Sequence, residues 1–208
     1  MIIGIAGGTG SGKSTVVRKI INSLPKDSVA VVSQDNYYKD SSHLPWDVRR
    51  AQNFDEPRAF DWELLFKDLT LLREGKAIEQ PVYDYTTCSR LKGQSIHTEP
   101  RQVIILEGIM ALVDPSIRAI LDMKIFVDAD SDERLIRVIQ RDVLERGRTI
   151  EDLANRYRTI IKPMHTLHIE PTKAYADIIL PQGGSNSVAI HVMKEFIHSF
   201  LINSHPHE

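Results

Sequence analysis

The segment from Ile2 to Ser14 constrains this chain more than any other, because a short β-branched run passes straight into Gly-Gly-Thr-Gly-Ser-Gly-Lys-Ser at positions 7–14. The loop fits G-x-x-x-x-G-K-[ST], and the residues after it, Lys13–Ser23, carry apolar positions at helical spacing. Glycines let the backbone curl until several N–H groups point at phosphate oxygens, and a helix N-terminus adds its own partial positive charge. Gly7, Gly8, Thr9, Gly10, Ser11, Gly12, Lys13, Ser14 and Thr15 therefore form a candidate nucleotide cradle. In it Lys13 offsets β/γ-phosphate charge and the Ser14 hydroxyl can ligate Mg²⁺.

A strand that reopens as a helix belongs to a sheet covered by helices, and the rest of the chain repeats the alternation. Strands are predicted over Ile2–Ala6, Val29–Ser33, Val103–Leu106, Lys124–Val127 and Asp177–Leu180; several are apolar throughout, as strands buried on both faces should be. Helices are predicted over Lys13–Ser23, Trp62–Arg73, Ser131–Arg146, Ile150–Lys162 and Ser187–Ile202. In the third of these, Leu135, Val138, Ile139 and Val143 recur at three- and four-residue spacing, so one face should pack inward. The interval 78–98 breaks the pattern with Pro81 and Gly93 and reads as a β-hairpin insertion standing off the sheet. The expectation is one α/β domain over 1–203, a parallel-sheet P-loop fold with that hairpin and an arginine-bearing helical lid at about 141–162, followed by a loose tail at 204–208.

Charge and cysteine content narrow the function classes. Lys plus Arg is 26 against 28 for Asp plus Glu, a net charge of −2, so nothing demands a nucleic-acid or membrane partner. No apolar run reaches the roughly 18–20 residues of a membrane span, and the N-terminus lacks signal-peptide character. One cysteine cannot form an internal disulfide, which agrees with a reducing, cytoplasmic location.

Binding a triphosphate also requires acids to manage the metal and the acceptor. Glu107 closes the apolar run 103–106 and can reach the Mg²⁺ shell on the rim of a parallel sheet; a helix-capping role is the other reading. Asp35 follows Val29–Ser33 onto the same rim, where it can accept the proton of an attacking hydroxyl or hold a metal-bound water, or else serve as a turn aspartate. Arg141, Arg146 and Arg148 flank Gly147 and can supply guanidinium groups to the equatorial oxygens of a transferring phosphoryl group, or sit on a solvated helix face.

SQDNYY at 33–38, NFDEPRAFD at 53–61, PVYDYTTCSR at 81–90, ILEG at 105–108, RDVLERGR at 141–148 and EPTKAYADIILPQGG at 170–184 occur in this order with the phosphate loop. Together they make the chain, from Met1 to about Ile202, similar to the uridine/cytidine kinase family. The resemblance implies phosphorylation of a pyrimidine nucleoside at its 5′-hydroxyl by ATP (or GTP) with Mg²⁺, usually by a homotetramer. It also implies that Asp35 activates the 5′-hydroxyl, Asp55 binds ribose hydroxyls, Tyr83 meets the base and Arg148 reaches into the acceptor site.

Three positions depart from the family pattern. Cys88 stands where a histidine commonly hydrogen-bonds the pyrimidine edge, Val138 replaces the second of two paired arginines after Arg137, and Arg156 replaces a glutamine. Cysteine bonds weakly and behaves as a small hydrophobe, so the base is less determined than the reaction class. Arg156 could restore the charge that Val138 lacks. These changes keep open a kinase of another alcohol, such as a sugar phosphate or a pantothenate-like compound. A nucleotide-dependent switch is a third reading, but it would need a guanine-reading Asn/Thr-Lys-x-Asp element, and the string Thr172-Lys-Ala-Tyr175 ends in the wrong residue.

Overall fold

In a computed structural model, the structure describes residues 1–203, excepting the side chains of Glu145 and Arg146; the tail 204–208 and the Arg146 guanidinium thus lie outside the described residues. Five strands, β1 (Ile2–Ala6), β2 (Val29–Ser33), β5 (Val103–Glu107), β6 (Met123–Val127) and β7 (Ile178–Leu180), form a sheet of order β2-β5-β1-β6-β7. Every adjacent pair is parallel. The remaining strands, β3 (Ile78–Asp84) and β4 (Ser89–Thr98), pair antiparallel as the hairpin. The helices are α1 (Lys13–Ile21), α2 (Trp46–Arg50), α3 (Trp62–Arg73), α4 (Pro115–Ile120), α5 (Ser131–Arg146), α6 (Ile150–Arg156) and α7 (Ser187–Asn203). Strand positions agree with the sequence to within one residue at each end, whereas α2 and α4 are too short to leave a periodic signal.

The sheet is the partition between two apolar layers. Ile2, Ile104, Leu106 and Phe126 point to one side and pack with Leu65, Leu69 and Leu72 of α3 and with Tyr37, Tyr38, Phe60 and Tyr83. Ile3, Ile5, Val103, Ile105 and Ile125 point to the other and pack with Val16, Val17 and Ile20 of α1 and with Ile190, Met193 and Ile197 of α7. Alternation along each strand feeds both layers, which is why the sequence of these strands is mostly apolar at successive positions.

Two expectations need correction. Helix α5 does not bury a simple apolar stripe: Val138 is 2% exposed, but its neighbours on the buried face are Arg134 and Asp142, while Leu135, Ile139 and Val143 are only half-buried. The helix lies against the phosphate loop rather than the core, so its inward face carries charge. The helix predicted to stop at Lys162 instead continues, with π-type turns at Tyr157–Ile161 and His165–Ile169 on either side of Pro163. Proline lacks an N–H and crowds the preceding turn, and a locally wider helix accommodates it without breaking.

The hairpin is fastened to the sheet side of the molecule. The Gln80 amide donates to the Val31 carbonyl at 2.9 Å, and Arg90 donates to the Tyr38 carbonyl at 2.7 Å and pairs with Asp61 at 3.1 Å. Cys88 and Ser89 at the close of its turn are buried, whereas Tyr85–Thr87 of the turn and Lys92–His97 are exposed. No helix among the described residues is long and apolar enough to cross a membrane.

Candidate active site

Because the sheet is parallel, the C-terminal ends of β1, β2 and β5 share one rim, with Ile5 and Ser33 both in register with Glu107. That rim opens into a cleft of ≈ 280 Å³ lined by Thr9, Gly10 and Gly12 through Thr15 on one side and by Asp35, Glu107, Arg137 and Arg141 on the others. Such a position, beyond the carboxyl ends of parallel strands, is where ligands enter this class of sheet.

The phosphate loop holds its shape through backbone freedom and close packing. Gly10 and Gly12 adopt φ of +75° and +92°, a region that costs other residues roughly 1–2 kcal/mol. A Cβ at Gly10 would run into the Arg134 carbonyl and one at Gly7 into the Val127 carbonyl. Ser11 N–H closes the loop onto the Gly8 carbonyl at 3.0 Å, and the Lys13 ammonium donates to that same carbonyl at 3.1 Å. Burial lowers the Lys13 pKa to about 8, against the opposing pull of Asp35 and Glu107. A cation held this way, short of counter-charge, favours a polyanion.

The Ser14 hydroxyl lies 3.4 Å from Glu107 Oε1, and Glu107 Oε2 is buried without a hydrogen-bond partner. Glu107 ends β5 and caps no helix. Burial pushes its carboxyl above the usual range, with Lys13 pulling the other way. Among the described residues no group of three or more His, Cys, Asp or Glu is gathered as a metal cage. A hydroxyl and two nearby carboxylates, one with an orphaned oxygen, form the sparse oxygen set that suits Mg²⁺, which keeps much of its own water and phosphate ligation.

Asp35 occupies the first turn of a short 3₁₀ segment, Gln34–Tyr37, directly after β2. Its neighbours fix that turn. Gln34 is fully buried and its amide oxygen accepts from Met110 N–H at 2.9 Å, tying the turn to the loop beyond Glu107; Tyr37 donates to Asp68 at 2.8 Å.

The arginines divide between two places. Arg141 lines the phosphate cleft and pairs with Asp142 at 2.7 Å. Arg148 does not join it, but lines a separate hollow with Arg50 and Arg156. Gly147, at φ +62°, ends α5 and turns the chain away between the two. Two arginines beyond the sequence prediction face the loop: Arg137, whose guanidinium is 3.4 Å from the Gly10 carbonyl, and the buried Arg134, which packs against Gly8. The spacing 134, 137, 141 is one helical face and was the available signal.

Of the residues that the sequence resemblance gives to the acceptor, Tyr83 and Cys88 lie on the hairpin and Asp55 does not. Tyr38 stacks on Phe60 with centroids 4.3 Å apart, and Tyr83 lies 5.0 Å from Tyr38 and 5.6 Å from Tyr85. Tyr83 is thus part of an aromatic packing group, yet its hydroxyl is buried with no partner. Cys88 sits at φ +50° in the turn that Asp84 organises by accepting from Thr86 and Thr87, and its carbonyl accepts from Ser41 at 2.8 Å. Burial raises its thiol, while Arg148, Arg49 and Arg156 act in the opposite sense. Asp55 is 9% exposed and is ion-paired with Arg156 at 3.1 Å. Arg156 therefore faces Asp55, a partner that the sequence did not suggest.

A family profile described as Phosphoribulokinase / Uridine kinase family matches residues 2–189. The chain belongs to this family. Membership makes it a phosphotransferase, and curated relatives narrow the comparison. A uridine kinase of Macrococcus caseolyticus is 52% identical over 200 residues, covering 96% of this chain and 97% of the relative. A uridine kinase of Clostridium botulinum is 50% identical over 193 residues, 93% of each chain. Among solved structures, a D-glycerate 3-kinase from Cryptococcus neoformans var. grubii matches at a TM-score of 0.59 and 15% identity, over 81% of this chain and 78% of that one, and shares the fold.

Proposed function

We propose that this protein transfers the γ-phosphoryl group of ATP or GTP to the 5′-hydroxyl of uridine, with cytidine as the alternative acceptor, and so feeds nucleosides into pyrimidine salvage. The single observation that carries the reading is that Asp35 lines the same cleft as the phosphate loop, with Tyr38, Tyr83 and Asp55 grouped around the neighbouring acceptor side.

Asp35 accepts the proton of the 5′-hydroxyl as it attacks in line. The loop N–H groups and Lys13 hold the β- and γ-phosphates, and Arg137 and Arg141 face the oxygens on which charge accumulates. Ser14, Glu107 and Asp35 would hold Mg²⁺, which when bound neutralises phosphate charge. On the acceptor side, Asp55 receives ribose hydroxyls, the Tyr83 hydroxyl offers its unpaired donor to the base, and Arg148 closes over the substrate from the lid, beside Cys88 and Arg156. Cys88 supplies shape rather than a strong hydrogen bond. The chain acts in the cytoplasm and assembles as a homotetramer, a reading that its free cysteine and the sequence resemblance support.

A coupled assay with ATP and uridine, repeated with cytidine, tests the reaction. Turnover of either nucleoside to its 5′-monophosphate supports it; phosphorylation of a sugar phosphate or pantothenate-like alcohol in its place refutes it.

A further inference from the structure

Helix α6 is anchored to the acceptor side by one polar contact of long sequence separation. Arg156, its last residue, reaches Asp55 Oδ2 at 3.1 Å, and the two side chains are 18% and 13% exposed. The loop bearing Asp55 is itself held, because Asp55 N–H donates to Asn53 Oδ1 at 3.0 Å. Among the described residues no hydrogen bond reaches Asp55 Oδ1, so the guanidinium occupies one oxygen and leaves the second to a ligand.

We infer that Arg156 is a positioning residue for the acceptor site: it orients Asp55, keeps it in its anionic, accepting form, and latches α6 over the bound nucleoside. This rests on the reading of Asp55 as the ribose ligand.

The charges around Asp55 make the guanidinium's role specific. Asp35, from the turn after β2, is a like charge that disfavours the anion, and Arg141 of α5 favours it more weakly than Arg156 does. Tyr38, packed nearby, is held protonated by its own burial and adds no charge. Burial is the largest influence on Asp55 and pushes its carboxyl upward, so removing Arg156 removes the main force that opposes protonation. A protonated Asp55 would present a hydroxyl in place of a second acceptor, and vicinal ribose hydroxyls would lose their partner. An oriented anion also explains why a positive residue can stand at the end of α6 without a surface role: there it meets a buried carboxylate.

The test is uridine affinity by calorimetry, without triphosphate, over a pH series that starts in the ordinary carboxylate range and runs upward from it, combined with steady-state kinetics. R156A is expected to weaken uridine binding about tenfold or more, the scale of a lost charge-assisted hydrogen bond. The loss should grow as pH falls, while kcat at saturating uridine drops far less than KM rises. R156K keeps the charge and should retain the wild-type pH profile despite weaker binding. R156Q keeps a donor of neutral charge and should show the shifted profile; it serves if R156A fails to fold by thermal melting. Uridine affinity and pH profile equal to wild type in R156A or R156Q overturn the inference. Equal, pH-independent losses in R156K and R156Q, the signature of a merely structural contact, do so too. If the wild type itself neither binds nor phosphorylates uridine, the functional reading beneath it is wrong, and that result appears before any variant is made.

Discussion

Ser14 and Glu107 are 93 residues apart in the chain, yet the Ser14 hydroxyl lies 3.4 Å from Glu107 Oε1, and the other carboxylate oxygen is buried without a partner. An unpaired buried oxygen costs roughly 1–3 kcal/mol, and a hard cation is the ligand that would relieve it.

E107Q should therefore raise the Mg²⁺ concentration that supports half-maximal turnover by at least about tenfold, since the amide keeps the volume and loses the anionic donor. A chelator should abolish turnover of the wild type, with activity restored by Mg²⁺. An unchanged Mg²⁺ titration in E107Q would remove Glu107 from the metal shell.

Asp35→Asn preserves the turn that Gln34 and Tyr37 hold, so triphosphate binding should survive. Turnover should fall on the order of 10²–10⁴-fold, the usual contribution of a positioned base. Near-wild-type turnover is the result that rejects Asp35 as the proton acceptor.

Burial holds the Lys13 pKa at about 8, below its unfolded value of 10.5. Between those values the unfolded chain binds the extra proton, so stability of the nucleotide-free protein should rise with pH through this window. Triphosphate requires the ammonium and should bind more weakly as pH climbs past about 8. Calorimetric titration against pH should show proton uptake on binding in the wild type and none attributable to this site in K13M.

Tyr37 is fully buried and donates to Asp68 at 2.8 Å. Tyr37→Phe leaves that carboxylate unsatisfied on the buried face of α3, at a cost of about 1–3 kcal/mol. A lowered melting temperature is expected, together with a smaller loss of turnover because the Asp35 turn loosens.

Cys88 should resist alkylation. Its thiol is buried and raised above the ordinary value, and the thiolate is the reactive form. Iodoacetamide should label the native protein much more slowly than the denatured chain, and uridine should slow it further. Rapid native labelling would contradict the burial of this thiol.

What the sequence revealed follows the reach of its signals. The phosphate loop, β1 and α1 form one continuous stretch, so local pattern located them; Asp35 and Glu107 could be placed on one rim because each stands at the end of an apolar run, and parallel strands bring their ends together. The ion pair between Asp55 and Arg156 spans 101 residues and depends on how α6 folds back, which no periodicity encodes. Arg137 lay within reach of a helical-face argument, but the apolar residues interleaved with it dominated the reading of α5. The π-turns around Pro163 escaped because proline signals a helix stop when only sequence neighbours are considered.

The two apolar layers are kept apart by the sheet, with α1 and α7 behind the phosphate loop on one side and α3, the aromatic group and the hairpin on the other. Under the proposed function, substitutions on the hairpin side can thus change what the acceptor site accepts while α1 and the phosphate loop keep their own packing. If acceptor choice resides in that layer, it can diversify by drift there without having to reinvent phosphate handling each time.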